Sequence, residues 1–138
     1  MIALHSLKLL HKFNLVRLFF PVFKNEEVKF LGLKLANRLG TAAGLDKNGD
    51  FIDSLGSLGF GFLEVGTVTP KPQIGNPKPR VFRVFDEEAI INRLGFNNKG
   101  VDYLVRRLQK KKFQGIVGVN IGANKTSQGQ KRIDDYIE

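Results

Sequence analysis

The chain has 138 residues, of which 42% are hydrophobic and 25% are charged, a balance that suits one modest core in a soluble domain. It contains no cysteine, which excludes a disulfide framework, a thiolate nucleophile and any cysteine-containing metal site. Its formal net charge of +9 favours an anionic partner. No motif of a nucleic-acid-binding module accompanies that charge, so we expect no nucleic acid partner, and we also expect no metal site.

The first residues predict a small helical hairpin. Residues 2–13 place apolar side chains on one broad side and basic ones on the other, as in an amphipathic helix. Asn14 suits the N-cap of a second helix over 15–20, which Pro21 ends. The segment is too short and too charged to span a bilayer, but its apolar face could lie in a membrane interface or dock on the domain behind it. Clustered phenylalanines favour an exposed apolar patch: Phe13, Phe19, Phe20 and Phe23.

The rest of the chain alternates between strand and helix patterns. Residues 28–36 predict two short strands joined by a tight turn at Leu31-Gly32. The elements predicted after them are a buried strand over 39–43, a helix over 50–58, a strand over 62–65, a helix over 101–112, a strand over 116–121 and a helix beginning at Ile133. This alternation predicts βαβ units and a parallel sheet. The last helix has no stop signal and three parallel strands leave unpaired edges, so we expect the chain to be cut short.

The basic residues form two groups along the chain. One lies in residues 1–24, which contain no acid, and the other is Arg106, Arg107, Lys110, Lys111 and Lys112. Because the second group falls at the end of the predicted helix, where cations complement the helix dipole, we interpret it as a solvated helix terminus.

Residues of similar chemistry follow the three predicted strands of the parallel sheet. The first strand leads into a glycine-rich loop with Lys47, the second into Thr67 and a proline-rich loop, and the third into Asn120. The ends of adjacent parallel strands line one rim, so we expect Thr67 to lie beside Lys47. A glycine-rich turn with one lysine is often no more than a turn, and the recurrence of this chemistry at three strand ends is what favours a ligand site.

Residues 90–100 add amide side chains and Phe96, which suit a planar ligand rich in carbonyl and N–H groups. Asn97 or Asn98 could instead, or in addition, cap the helix that follows.

Five stretches together carry a resemblance to a known family. They are Ala42-Ala43-Gly44-Leu45-Asp46-Lys47-Asn48-Gly49, Glu64-Val65-Gly66-Thr67-Val68-Thr69-Pro70, Gly75-Asn76-Pro77-Lys78-Pro79-Arg80, Asn92-Arg93-Leu94-Gly95-Phe96-Asn97-Asn98 and Asn120-Ile121-Gly122. With these five stretches in this order, the chain resembles the N-terminal half of the quinone-dependent (class 2) dihydroorotate dehydrogenases. The resemblance extends from about Val28 to the last residue.

The resemblance implies an FMN enzyme of pyrimidine synthesis that oxidises dihydroorotate to orotate with quinone as electron acceptor. The implied fold is the first part of an eight-stranded β/α (TIM) barrel over residues 25–138, preceded by a helical membrane and quinone-access segment over residues 1–24. The residues implied to contact FMN are Ala43, Gly44, Leu45, Asp46, Lys47, Thr67 and Asn120. Those implied to bind the substrate are Lys47, Asn92, Arg93, Leu94, Gly95 and Phe96. Peripheral attachment to the cytoplasmic face of a bacterial inner membrane is also implied.

The chain departs from the family pattern at both ends. Its helical segment is shorter than the family's, and the serine base, the flavin phosphate site and about five barrel strands are expected beyond Glu138. We therefore expect the chain by itself not to turn over. The alternatives are a small basic membrane-surface or anion-binding module without catalysis, and an inactive remnant that does not fold alone.

Overall fold

A computed structural model of the chain describes residues 2–21 and 26–137. The helices are Ile2–Lys12 (α1), Val16–Phe19 (α2), Ile52–Gly56 (α3), Val101–Gln109 (α4) and Gln130–Asp134 (α5). The strands are Val28–Phe30 (β1), Leu33–Leu35 (β2), Phe62–Val68 (β3), Val81–Val84 (β4), Ala89–Asn92 (β5) and Ile116–Ile121 (β6). Strands β1 and β2 form one antiparallel hairpin and β4 and β5 another, while β3 and β6 pair in parallel.

The parallel pair of β3 and β6 is the centre of the fold. It is the βαβ unit that the alternating pattern predicts, because α4 lies between the two strands along the chain. On the inner face of β3, Leu63 and Val65 are each 1% exposed. On its other edge, Gly40 forms a parallel bridge with Phe62, so three chain segments lie side by side. The predicted parallel arrangement is therefore confirmed.

The strand predicted over 39–43 is reduced to that single bridge, and Leu39 is exposed rather than buried. The backbone ladder is present before Thr41, where the N–H of Gly61 donates to the Leu39 carbonyl (2.8 Å). It is interrupted at Thr41, whose side-chain Oγ1 accepts the N–H of Glu64 (3.2 Å) in place of a backbone carbonyl. The Asn37 side chain fixes the start of this segment, because its Oδ1 accepts the N–H groups of Leu39 (3.0 Å) and Gly61 (3.1 Å).

The helical hairpin docks on the same core that the sheet covers. Leu7 of α1 and Val16 of α2 belong to one buried cluster with residues of α3, β3 and α4, and Leu4 and Leu10 pack against it. The opposite surface is apolar and open: Phe13, Leu18 and Phe19 are exposed. Of the two uses considered for this segment, docking on the domain is confirmed for one face, and the other face is exposed. Phe23 and Lys24 lie outside the described residues. No helix within 2–21 or 26–137 is both long and apolar enough to cross a bilayer.

Several predicted helix boundaries are wrong. Asn14 has a φ of +56° and its N–H bonds to the His11 carbonyl, so it ends α1, and Leu15 precedes α2 without a side-chain cap. Gly100, not Asn97 or Asn98, is the N-cap residue of α4. Helix α3 is shorter than predicted, α4 ends at Gln109 and not at Lys112, and α5 begins at Gln130 and not at Ile133. The hairpin of β4 and β5 was not predicted.

Candidate functional site

The loop over residues 43–49 is held against the carboxyl end of β3 by its backbone. The N–H of Gly44 donates to the Gly66 carbonyl (2.8 Å), and the N–H of Gly66 donates to the Asp46 carbonyl (3.2 Å). Gly44 has a φ of +101°, which a side chain would disfavour, and the space beyond its Cα is open because no atom lies within 4 Å of a Cβ built there. Gly44 and Leu45 are exposed, so this loop presents a flat surface of backbone and apolar atoms.

The Asp46 side chain fixes the loop from the inside. It is 3% exposed, and its two oxygens accept the backbone N–H groups of Asp50 (2.9 Å) and Phe51 (2.7 Å) at the start of α3. Burial raises the pKa of Asp46 above the ordinary value, while the hydrogen bonds from Phe51 and Asp50 oppose that rise. The carboxylate is thus engaged within the chain, and only the backbone of Asp46 faces the strand end.

Lys47 points away from this anchor. It is half-buried, and its Nζ donates a 2.7 Å hydrogen bond to Oδ1 of Asn97. Burial lowers the pKa of Lys47, and the positive charge of Arg80 lowers it further. Neither Asn97 nor Arg80 was assigned to the site from the sequence, although both lie in the motifs that carried the resemblance. A run of two asparagines beside a predicted loop was the only signal for Asn97.

Thr67 and Asn120 meet where β3 and β6 end. The Thr67 hydroxyl donates to Oδ1 of Asn120 at 2.6 Å, and Nδ2 of Asn120 donates to the Glu64 carboxylate at 3.1 Å. The orientation of the Asn120 amide is therefore determined on both sides. Glu64 was not predicted as part of this site. The sequence feature that could have identified Glu64 is the two-residue period of β3, which places Glu64 on the face opposite the buried Leu63 and Val65.

The segment 92–96 joins the rim only at its C-terminal end. Phe96 is exposed, and its ring and the Thr67 methyl group both lie next to the Cα of Gly122, just beyond β6. Asn92 is the last residue of β5, opposite Val81, and among the described residues no side-chain hydrogen bond links it to Lys47, Thr67 or Asn120. Three members of the segment have other partners: Arg93 donates to the Pro79 carbonyl, the Leu94 carbonyl accepts the Asn76 N–H, and the Gly95 carbonyl accepts Nε2 of Gln73.

A buried amide supports this segment from below. Asn98 is 8% exposed, and its Nδ2 donates to the Thr69 hydroxyl (2.8 Å) and to the Phe96 carbonyl (2.7 Å). Its Oδ1 accepts the N–H groups of Gly100 and Thr69. The loop carrying Phe96 and Asn97 is consequently fixed to the residue that follows β3. The rim is preorganised before any ligand arrives.

The arrangement combines an open, flat backbone surface with a lysine, a hydroxyl and an amide at neighbouring strand ends. Such a rim can bind a planar heterocycle through its carbonyl and N–H groups and can bind an anionic substituent through Lys47. Ligand sites at the carboxyl ends of the strands are the rule for β/α barrel enzymes, and this chain has the beginning of that architecture.

The comparisons agree with that class. The family model described as "Dihydroorotate dehydrogenase" matches residues 26–138. A relative from Buchnera aphidicola (subsp. Schizaphis graminum), named "Dihydroorotate dehydrogenase (quinone)", is 53% identical and is matched over 96% of this chain and 41% of its own length. One of the same name from Neisseria meningitidis serogroup A is 52% identical over 98% of this chain and 40% of its own length.

Solved structures lead to the same family. The chain resembles a dihydroorotate dehydrogenase from Eimeria tenella, crystallised with ferulenol, with a TM-score of 0.77 and 38% identity over 98% of this chain and 38% of that one. The ligand-free form of the Eimeria protein gives a TM-score of 0.77 and 37% identity. This chain belongs to the dihydroorotate dehydrogenase family, and the curated relatives it matches are of the quinone-dependent class. It spans about 40% of their length, and its described residues form the first part of the barrel without closing it.

Proposed function

We propose that this chain supplies the lysine-bearing side of the active site in an enzyme that oxidises dihydroorotate to orotate with quinone as electron acceptor, in pyrimidine synthesis. Two observations carry the proposal: the hydrogen bond from Gly44 to Gly66 holds the Lys47 loop against the end of β3, and the hydrogen bond from Thr67 to Asn120 joins the ends of β3 and β6. FMN is the proposed cofactor. The residues proposed to contact it are Ala43, Gly44, Leu45, Asp46, Lys47, Thr67 and Asn120, with Asp46 contributing through its backbone.

The residues fit a flavin on the geometry of the loop itself. The open space at Gly44 lets a flat ring approach the backbone, where any side chain would intervene. Thr67 and Asn120 provide hydroxyl and amide groups for the polar edge of such a ring. A flavin held by these residues would supply the acceptor for the hydride of dihydroorotate and the two-electron donor for quinone.

Lys47 is the residue through which this chain acts on the substrate. Its ammonium group is directed by the Asn97 amide and lies in a half-buried position, where a charge interaction with the substrate carboxylate is screened less than in bulk water. We propose that the other side of the substrate pocket is formed by Asn92, Arg93, Leu94, Gly95 and Phe96. Among these five residues, Phe96 is the one proposed to lie nearest to Lys47 and Thr67. We assign no base for proton removal to this chain.

The helical segment over residues 1–24 is proposed as the peripheral membrane contact and quinone entrance, and residues 25–138 as the barrel portion. The exposed apolar surface of α1 and α2, with cations beside it, supports this division. Attachment to the cytoplasmic face of a bacterial inner membrane follows from the same proposal.

A chimera tests the proposal directly. Residues 26–138 of this chain replace the matching segment of the Buchnera relative, and the purified chimera is assayed for flavin absorbance and for dihydroorotate-dependent reduction of a ubiquinone analogue. We expect a yellow, active protein. Lys47→Ala should reduce kcat/KM roughly 10²–10³-fold, the effect typical of losing one group that stabilises charge at the reacting centre.

Lys71→Ala is the matched control, because Lys71 is exposed and its hydrogen bonds involve only its backbone. It should leave kcat/KM within about 2-fold of the chimera. A colourless chimera that melts cooperatively would show that the residues at this rim do not form a flavin site. If that protein bound anionic vesicles, the alternative of a non-catalytic membrane-surface module would be favoured.

A further inference from the structure

A second cleft lies away from the strand ends, between α1, α3 and the end of α4, and encloses about 980 Å³. Its walls carry more positive than negative charge. The basic residues lining it are Lys8, Lys12, Arg107, Lys110, Lys111 and Lys112, and the acidic ones are Asp50 and Asp53. Such a concave surface focuses the field of its charges and raises the local concentration of anions.

The two carboxylates leave the cleft with an excess of positive charge, and both already have partners within the protein. Asp50 accepts the Tyr103 hydroxyl at 2.6 Å and pairs with Lys99 and Arg107. Asp53 accepts the backbone N–H groups of residues 112 and 113 at 2.8 and 2.9 Å. The second interaction also fixes the backbone that carries the lysines following α4.

Several cations of the cleft lack an acidic partner. No ion pair within the described ranges involves Lys12, Lys110 or Lys112. Lys110 is the C-cap residue of α4, where a cation complements the helix dipole, but Lys112 lies two residues farther along the chain. The sequence-based interpretation of this block as a solvated helix terminus fits Arg106 and Lys110, which are exposed, whereas Arg107 is half-buried and pairs with Asp50.

An apolar surface adjoins the charged one. Leu9 lines the cleft and is 57% exposed, and Lys12 Nζ lies 5.9 Å from the ring of its exposed neighbour Phe13. Exposed Leu18 and Phe19 extend the apolar surface along α2. Cations beside exposed leucine and phenylalanine are the pattern of a surface that binds anionic lipid, with the apolar residues in the acyl boundary and the cations at the headgroups.

We propose that the cleft between α1, α3 and α4 binds the phosphate of an anionic phospholipid headgroup, with Lys12, Lys110 and Lys112 as its free cations. This site extends the membrane contact proposed above, because it adds residues of the barrel portion to a contact otherwise made by the helical hairpin. It is independent of catalysis. Two of its three lysines lie about a hundred residues away from the hairpin along the chain.

Vesicle co-sedimentation of the 138-residue chain tests the site. The vesicles contain phosphatidylcholine alone or with about one third phosphatidylglycerol. The double variant Lys110→Ala/Lys112→Ala should lose about 30-fold in partition onto the anionic vesicles, which corresponds to ~1 kcal/mol per lysine near the surface. The matched control, Lys78→Ala/Lys131→Ala, removes the same charge from exposed positions outside the cleft and should lose less than about 3-fold. Circular dichroism of both variants verifies that the fold is retained.

The outcomes separate this site from the hairpin contact. If Leu18→Ser/Phe19→Ser abolishes vesicle binding while the cleft variant binds like the parent, the hairpin contact stands and the cleft site is wrong. If the cleft variant and its charge-matched control lost the same amount of vesicle binding, net charge alone would explain the effect, and the proposed site would be wrong. Free inorganic phosphate is the other possible source of the anion, and an NMR titration tests whether it binds. Amide shifts at the cleft, without binding of the chain to anionic vesicles, would overturn the headgroup assignment.

Discussion

The sharpest test of how the site loop is built is the removal of one charge from Asp46. In Asp46→Asn the side chain keeps its shape and one acceptor oxygen, but it presents an NH₂ group to one of the two backbone N–H groups that the carboxylate now accepts. Those N–H groups belong to Asp50 and Phe51, and the Phe51 hydrogen bond is buried. Where the new NH₂ group faces a backbone N–H, two donors oppose each other. The charge-assisted hydrogen bond is lost there, and no water replaces it.

The expected loss of stability is ~0.5–1.5 kcal/mol, the net value of a typical hydrogen bond, because removing the charge also removes the burial cost that raises the pKa of Asp46. The unfolding entropy of a 138-residue chain is about 0.29 kcal/mol/K at ~2.1 cal/mol/K per residue. The melting temperature should therefore fall by about 2–5 °C. Thermal and urea denaturation of the chain, followed by circular dichroism, measure both quantities. The control Asp86→Asn, at an exposed position in the turn between β4 and β5, should stay within about 0.5 kcal/mol of the parent.

The pH dependence adds a second readout with a definite sign. Burial raises the pKa of Asp46 above the ordinary value of 3.8, so protonation favours the folded state. The stability contributed by this group is complete below the unfolded-state pKa and is lost as the pH rises through the folded-state pKa. The stability advantage of the parent over Asp46→Asn should accordingly grow as the pH falls from neutral toward 3.8.

Two results would refute this reasoning. An Asp46→Asn chain as stable as the parent would mean that the carboxylate does not hold the loop. An advantage of the parent that shrinks on acidification would mean that the two hydrogen bonds outweigh burial and lower the pKa instead.

Three further predictions follow from other contacts. Gly66→Ala should cost at least ~3 kcal/mol in urea denaturation, because a Cβ at φ +108° would meet the backbone of β6, whereas Gly44→Ala, facing open space, should cost only ~1–2 kcal/mol from backbone strain. Leu63→Ala should destabilise the chain by ~2–5 kcal/mol in the same assay, since it empties a position that is 1% exposed. Arg80→Gln should raise the pKa of Lys47, measured by NMR of the Nζ group, because a nearby positive charge is removed.

The fold was predictable where local pattern and tertiary contacts agree. Strand β6 was predicted to the residue, and the first hairpin was predicted from the alternating pattern around Leu31-Gly32, both of which adopt positive φ in the turn. The hairpin of β4 and β5 gave no such signal. Its strands are largely exposed, and its turn contains Glu88 at a φ of +47°, a conformation that the sequence of an acidic loop does not suggest.

The candidate site was likewise predictable only in part. The end of β6 could be located from periodicity, whereas β3 extends to Val68, three residues beyond its predicted end. The structure does bring Thr67 and Asn120 together where the two strands pair. The partners that orient the predicted residues could not be located. Asn97 reaches Lys47 across 50 positions, and that contact depends on how a loop returns to the rim, which no local pattern encodes.

Asp50 connects the rim to the basic cleft, and this has consequences for how the two sites respond to mutation. Its N–H is held by Asp46 beneath the site loop, and its carboxylate is held by Tyr103 and Arg107 beside the cleft. Loosening Asp46 therefore releases a group that both surfaces share, so Asp46→Asn should weaken binding to anionic vesicles as well as stability. The lysines after α4 bond to neither Asp46 nor Asp50, and their removal should leave the rim unchanged. The single mutations should therefore have unequal effects: Asp46→Asn changes both surfaces, and the lysine variants change only the cleft.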